Sequence, residues 1–302
     1  MTVLAGEALG TRWQVRIAAM RRVDGAALRP RIEARLDAIV AQMSQWAPDS
    51  LLARYNAAPA GSWSEIPEDF RTVLATAMTI AEASGGAFDP TFGRTAALLG
   101  FGAESVDHPA SPAELAAAQC DAGYRKLRFD EASARLLQPG GLWLDFAGIG
   151  KGFAVDAVSA ELAACGYRDT LVEIGGEFVG RGLGADGQPW WVDLENPEGI
   201  TLPPLRIAVH ECAVATSGDY VRGAHTIDPR TGRPLAGRLM SVSVLHDSAM
   251  LADAWATALT VLGSLAGLRM ANERRIPARF LERADEGVVE HLSTALAAML
   301  ED

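Results

Sequence analysis

The stretch KLRFDEASARLLQPGGLWLDFAGIGKGFAVDAVSAELAACG, Lys126 to Gly166, sets three short apolar runs ahead of one longer apolar run. Glycine, proline and small polar residues separate KLRFD, ARLLQPG and LWLDF, as in strands joined by turns. The run from Lys151 to Cys165 is long enough for a helix and stops at Gly166. Working outward, residues 11–18 read as a strand, and so do TLVEIG, WWVDLE, LRIAVH and MSVSVLH on the C-terminal side. Strands joined mostly by turns, with helices in separate blocks, predict an α+β fold rather than a parallel doubly wound sheet.

Helices are expected where apolar residues recur with helical spacing. Leu28 to Met43 aligns Leu28, Ile32, Leu36, Ile39, Val40 and Met43, and about Asp69 to Ser84 aligns Phe70, Val73, Leu74, Ala77 and Ala81 before Gly85-Gly86 ends it. Ser111-Pro-Ala-Glu is a capping box with proline at the first helical position. A last helix starts after Asp247 or Ser248 and ends at Gly263, and the polar segment APDSLLARYNAAPAG is expected to be a loop.

The 302 residues, 49% hydrophobic, suffice for one large domain or two intimate lobes, and no linker divides residues 1–302 cleanly. A net charge of -11 argues against broad nucleic-acid binding. Cys120, Cys165 and Cys212 fit neither a disulfide framework nor a zinc site. The N-terminus has no basic start or sustained apolar stretch, so the expectation is a cytoplasmic protein without an export signal, periplasmic if a leader has been removed. No uninterrupted apolar window has the roughly 18 to 20 residues of a membrane span.

LDFAGIGKGFAVDAV, Leu144 to Val158, looks like a phosphate cradle, yet spacing rejects two familiar forms. A Walker loop would need a glycine at Asp145 and a Ser or Thr at Gly152, and a dinucleotide fingerprint would need a third glycine at Phe153. What survives is generic: glycines permit close backbone approach, and amides at a helix start favour an anion.

Four segments carry polar residues that a core does not require. Asp89, between Phe88 and Pro90, is a turn-capping aspartate or a ligand; Asp145 at a strand end and Lys151 at the helix start are a capping aspartate and a solvated lysine, or ligands. His225 precedes an Asp-Pro-Arg-Thr-Gly turn and would suit a hydroxyl nucleophile as general base, although a loop histidine can be idle. Asp253 and Thr257 lie four apart on one helix face, where they offer hard oxygens suited to Mg²⁺ or simple helix-internal bonding.

In order along the chain, eight segments resemble the ApbE-type FAD:protein FMN transferases: Leu9-Gly10-Thr11, MSQWAPDSLLARYN (43–56), GGAFDPTFG (85–93), DFAGIGKGFAVD (145–156), EIGGEFVGRG (173–182), ATSGDY (215–220), HTIDPRTGRPL (225–235) and ADAWATAL (252–259). The resemblance spans about residues 9 to 263. It implies antiparallel sheets with flanking helices in an ApbE-like, T-fold-like architecture. It also implies flavin-binding roles for Leu9, Trp46, Ala87, Phe88, Asp89, Asp145, Lys151 and His225, and a Mg²⁺ site from the Gly148 carbonyl, Asp253 and Thr257. The implied substrate is FAD, and the implied partner is an acceptor protein carrying a Thr or Ser flavinylation site; nucleic acid is not implied. His225 and Asp253 would be the catalytic pair.

Leu9 stands where the family usually has Met, a mild change in volume. Only five residues separate Asp219 from His225, which shortens a hairpin that is longer in many relatives. Two other functions would use the same site. A metal-dependent FAD pyrophosphatase would give FMN and AMP with water as nucleophile, and a flavin-binding protein would do no chemistry at all.

Overall fold

The computed structural model describes residues 1–102, 109–194, 196–197, 200, 202–218, 226–235, 237–285 and 287–301. In chain order the elements are β1 (Thr2–Ala8), β2 (Thr11–Ile17), α1 (Gly25–Met43), α2 (Leu51–Ala57), β3 (Trp63–Glu65), α3 (Glu68–Ala83), α4 (Gly93–Leu98) and α5 (Pro112–Asp121). Next come β4 (Arg128–Asp130), β5 (Arg135–Leu137), α6 (Gly150–Ala164), β6 (Thr170–Ile174), β7 (Glu177–Arg181), β8 (Trp190–Leu194), β9 (Leu205–Val209) and β10 (Cys212–Gly218). The chain closes with β11 (Ile227–Asp228), β12 (Arg233–Pro234), β13 (Leu239–His246), α7 (Ala249–Arg274), β14 (Ala278–Arg283), β15 (Val288–Leu292) and α8 (Thr294–Glu301). The α+β class read from the sequence holds.

The chain divides into two compact units, one of Met1–Asp37, Gly148–Ala224 and Ala236–Asp302, the other of Ala38–Ala147 and His225–Leu235. The first unit is built on an eight-stranded sheet in the order β1-β2-β6-β7-β10-β13-β14-β15. Every neighbouring pair is antiparallel. Helices α6 and α7 pack on each other and on the central strands. Leu171 belongs to a cluster with the β8–β9 hairpin and Leu296 of α8, whereas its neighbour Val172 projects the opposite way and is also buried. With both faces covered, the strand MSVSVLH tolerates apolar residues at consecutive positions.

Helix α7 is long and apolar enough to pass a membrane-span test, and 56% of its apolar window is buried inside the protein. Its contacts with α6, β10 and β13 make it the central core helix of the first unit. Ser248 caps it by accepting the Leu251 amide at 3.3 Å. The helix breaks at Gly263 (φ 77°), the expected end, and then resumes to Arg274.

The second unit contains the three-stranded sheet β3-β5-β4 and the β11–β12 hairpin. The Ser111 capping box opens α5 as expected. Two expectations fail here. The segment after Trp46 is not all loop: Ser50 caps α2, and Leu52 and Tyr55 are buried on one face of it. LWLDF is not a ladder strand, because only Trp143 makes a bridge, to Phe92. The Asn56 side chain takes the strand partner's place, accepting from the Leu144 amide at 2.7 Å and donating to its carbonyl at 2.9 Å.

Candidate active site

In the first unit the glycine loop is a packing device. A Cβ on Gly148 would lie 2.8 Å from Thr257 Oγ1, and one on Gly152 would lie 2.2 Å from the Ala249 carbonyl oxygen. Neither residue has a positive φ, so the requirement is space for α7 against the start of α6. Gly152→Ala is therefore expected to destabilise the protein by about 1–3 kcal/mol through overpacking. In an open helix position the same change would stabilise by roughly 0.5–1 kcal/mol. Urea unfolding of flavin-free protein reads the sign, and a stabilised variant would refute the close approach.

The space brings Gly148, Lys151, Asp253 and Thr257 together. Asp253 is 5% exposed, and its Oδ2 accepts the Gly152 amide at 3.0 Å, which satisfies one of the orphan donors of α6. Burial pushes the Asp253 carboxyl up, while the Lys151 charge and the Gly152 amide pull it down. Lys151 Nζ donates to Oε1 of Glu177, a β7 residue only 1% exposed. Burial drives Glu177 up to about 8; Lys151 opposes this and the Asp253 charge adds to it. Glu177 Oε2 is buried and has no hydrogen-bond partner among the described residues.

Two buried carboxylates thus share the charge of Lys151, an arrangement with excess negative charge that low-dielectric surroundings penalise. A divalent cation would offset it. The donors at hand, the Gly148 carbonyl, the Thr257 hydroxyl and the Asp253 carboxylate, are hard oxygens of the kind Mg²⁺ takes. No cluster of three His, Cys, Asp or Glu able to hold a metal occurs among the described residues, so one carboxylate with neutral oxygens is the set available.

Asp156 fixes where α7 begins. Its carboxylate accepts the Ser248 hydroxyl at 2.6 Å and the amides of Ala249 and Met250 at 2.9 and 3.0 Å. The sequence reading missed Asp156 and Glu177, though both left a trace. Asp156 is the lone charged residue in the apolar run Gly152 to Val158, and Glu177 has the same strand parity as the fully buried Val179.

Leu9 occupies the two-residue turn between β1 and β2 with φ 55°, followed by Gly10 at 70°. A leucine held there carries about 1–2 kcal/mol of backbone strain. Such an outlier motivates a functional hypothesis for the position. The turn shares its end of the sheet with Gly175–Gly176, since Gly175 donates its amide to the Arg12 carbonyl at 3.1 Å and Glu177 follows directly.

In the second unit, Gly85 and Gly86 turn the chain back with positive φ after α3, and Ala87 and Phe88 are buried. The Asp89 carboxylate accepts the Thr91 amide and hydroxyl at 2.9 and 2.6 Å and the Tyr124 amide at 3.0 Å. The turn-capping reading of its side chain is thus realised, and burial raises its pKa against these bonds. Asp145 donates its amide to the Pro90 carbonyl at 2.8 Å and accepts the Ala147 amide at 2.7 Å, which ties it to the same segment. Burial pushes its carboxyl up as well. Trp46 leaves its indole 66% exposed on a loop held by the Ser50 hydroxyl donating to the Ser44 carbonyl. His225 and Asp219 lie outside the described residues.

A model of the ApbE family matches residues 9–280. The chain is similar to a FAD:protein FMN transferase of Vibrio cholerae, 33% identical over 98% of this chain and 92% of that protein. A FAD:protein FMN transferase of Haemophilus influenzae is 32% identical over 99% and 91%. Among solved structures, the flavin transferase ApbE from Vibrio cholerae superimposes with a TM-score of 0.91 at 33% identity, covering 98% of both chains. The apo flavinyl transferase ApbE of Pseudomonas stutzeri gives 0.92 at 33% identity, covering 100% of this chain and 97% of that one.

Proposed function

The chain belongs to the ApbE family of flavin transferases, and from that premise we propose that it moves the FMN part of FAD onto a Thr or Ser hydroxyl of an acceptor flavoprotein, with Mg²⁺ bound and AMP released. The observation that carries this reading is the pair of buried carboxylates, Glu177 and Asp253, set with the partly exposed Lys151 and Thr257, a group that has a use for a divalent cation and a polyanion.

In the proposed reaction the acceptor hydroxyl oxygen attacks the FMN-side phosphorus of FAD. The bond from that phosphorus to the bridging oxygen breaks, AMP leaves, and the flavin stays attached through a phosphodiester. His225 takes the hydroxyl proton as general base. Gly148, Asp253 and Thr257 would hold Mg²⁺, which supplies charge neutralisation at the pyrophosphate when bound. Lys151 adds a positive charge next to the nucleotide. Asp145 and the Ala87–Phe88–Asp89 segment are assigned to flavin contacts, the latter through its backbone because the Asp89 carboxylate is already engaged. The exposed Trp46 indole and the strained Leu9 turn are assigned to the flavin as well.

The test is incubation with FAD, Mg²⁺ and a flavin-acceptor domain, with acceptor mass and AMP read together. Labelled acceptor with equal AMP is the expected result. AMP without label would make the protein a pyrophosphatase, and neither product would make it a flavin binder.

With the site serving the pyrophosphate, FAD should bind at least about tenfold more tightly than FMN in the presence of Mg²⁺, a difference of about 1.4 kcal/mol. Calorimetry with both flavins measures it. Equal affinities would return the loop from Asp145 to Gly152 to a packing role.

A further inference from the structure

Glu177 has no part in the reaction as proposed, yet it is among the most buried charged residues described and keeps one carboxylate oxygen unpartnered. A buried carboxylate oxygen left unpartnered carries its full desolvation penalty, so its place calls for a physical explanation. Its nearest engagements explain what. Lys151 Nζ donates to its Oε1, while the next residue, Gly152, is bonded through its amide to Asp253. The Lys151 side chain therefore stems from a point already tethered to Asp253, and both carboxylates feel its charge. Of these two carboxylates, the described geometry hydrogen-bonds the ammonium to Glu177.

We propose that Glu177 is a positioning residue for the cation site: by holding the Lys151 ammonium it prevents that charge from closing an ion pair on Asp253, whose carboxylate then stays open to a divalent cation. The inference rests on the cation reading of the proposed function. It adds a division of labour between the two carboxylates, one for the lysine and one for the metal. Glu177 enters the site from β7, immediately after the Gly175–Gly176 turn, so the sheet supplies the anchor for a lysine on α6.

The test uses Mn²⁺ as the probe, titrated into the full chain without acceptor and with FAD held at saturation for each variant. Free Mn²⁺ is read by its electron paramagnetic resonance signal. Glu177→Gln keeps size and an acceptor oxygen but releases the lysine, and Mn²⁺ affinity should fall by about 10- to 100-fold, as for other residues that orient metal ligands. Adding Lys151→Met should restore affinity to within about threefold of the wild type, because the competing ammonium is gone. A merely structural role for Glu177 predicts the opposite, with the second loss adding to the first.

Thermal melts establish that both variants are folded; should Glu177→Gln fail to fold, Glu177→Met in the Lys151→Met background carries the same comparison against Lys151→Met alone, and there equal Mn²⁺ affinities are expected. Wild-type affinity in folded Glu177→Gln, or no rescue in the double variant, would overturn the inference while leaving the cation reading intact. Absence of Mn²⁺ binding by the wild-type protein would overturn both.

Discussion

Asp253→Ala is expected to lower Mg²⁺-dependent flavin transfer by on the order of 10³-fold or more, since a cation that neutralises the pyrophosphate is worth several kcal/mol in the transition state. Asp253 is the only charged side chain assigned to that cation. The fold should survive the change for a reason visible in the site. Removal orphans the Gly152 amide, at a cost of about 1–3 kcal/mol, but it also relieves the repulsion between Asp253 and Glu177. Asp253→Asn separates the two roles, because the amide oxygen can still accept from Gly152 while the charge is gone. The asparagine variant should melt near the wild-type temperature and lose turnover almost as fully. Thr257→Val removes one neutral oxygen at nearly constant volume and should be milder. Full Mg²⁺-dependent activity in Asp253→Ala would sink the metal assignment.

The second large effect belongs to His225. If it is the proposed base for the acceptor hydroxyl proton, its replacement by alanine should slow transfer by about 10²- to 10⁴-fold while FAD affinity changes little. Single-turnover transfer and flavin titration measure the two quantities separately. A pyrophosphatase would lose AMP release in the same variant without ever labelling an acceptor, and a pure binder would release no AMP even as wild type. Transfer at the wild-type rate would move the base to another group, with Asp219 the next candidate.

Much of this molecule was readable before its coordinates, wherever the signal was local. The Ser111-Pro-Ala-Glu box, the alternation in WWVDLE and the apolar spacing of Leu28 to Met43 each depend on neighbours a few residues away, and each names its element correctly. Failures occur where a distant group decides. LWLDF has strand composition, but its backbone partner is the Asn56 side chain, 88 residues away. Leu51–Ala57 is a two-turn helix too short to show a period, and it is held by Ser50 at one end and by the Tyr55 hydroxyl bonded to the Leu137 carbonyl. Asp253 and Thr257 were paired by their spacing on one helix face, whereas Gly148 was joined to them through family resemblance alone, because Gly148 meets Thr257 through the packing of α6 on α7. Glu177 escaped both routes, since its parity with Val179 says only that the side chain faces inward and not that it meets a lysine on α6.

The order of strands across the large sheet has a bearing on how the protein is made. β1, β2, β6 and β7 form one half of the sheet and are finished by Arg181, whereas β10, β13, β14 and β15 form the other half and follow from Cys212 onward. During synthesis, which folds N-terminal parts first, Lys151 and Glu177 can meet as soon as β7 has emerged. Asp253 and Thr257 arrive only with α7; the tie of Asp253 to Gly152 and that of Ser248 to Asp156 close loops of about a hundred residues, the slow kind of contact to form. On the proposed cation reading, the nascent chain would hold half a site that cannot engage a cation through Asp253, and competence would come as a single late event, when α7 docks against α6 and its first turn is received by Asp156.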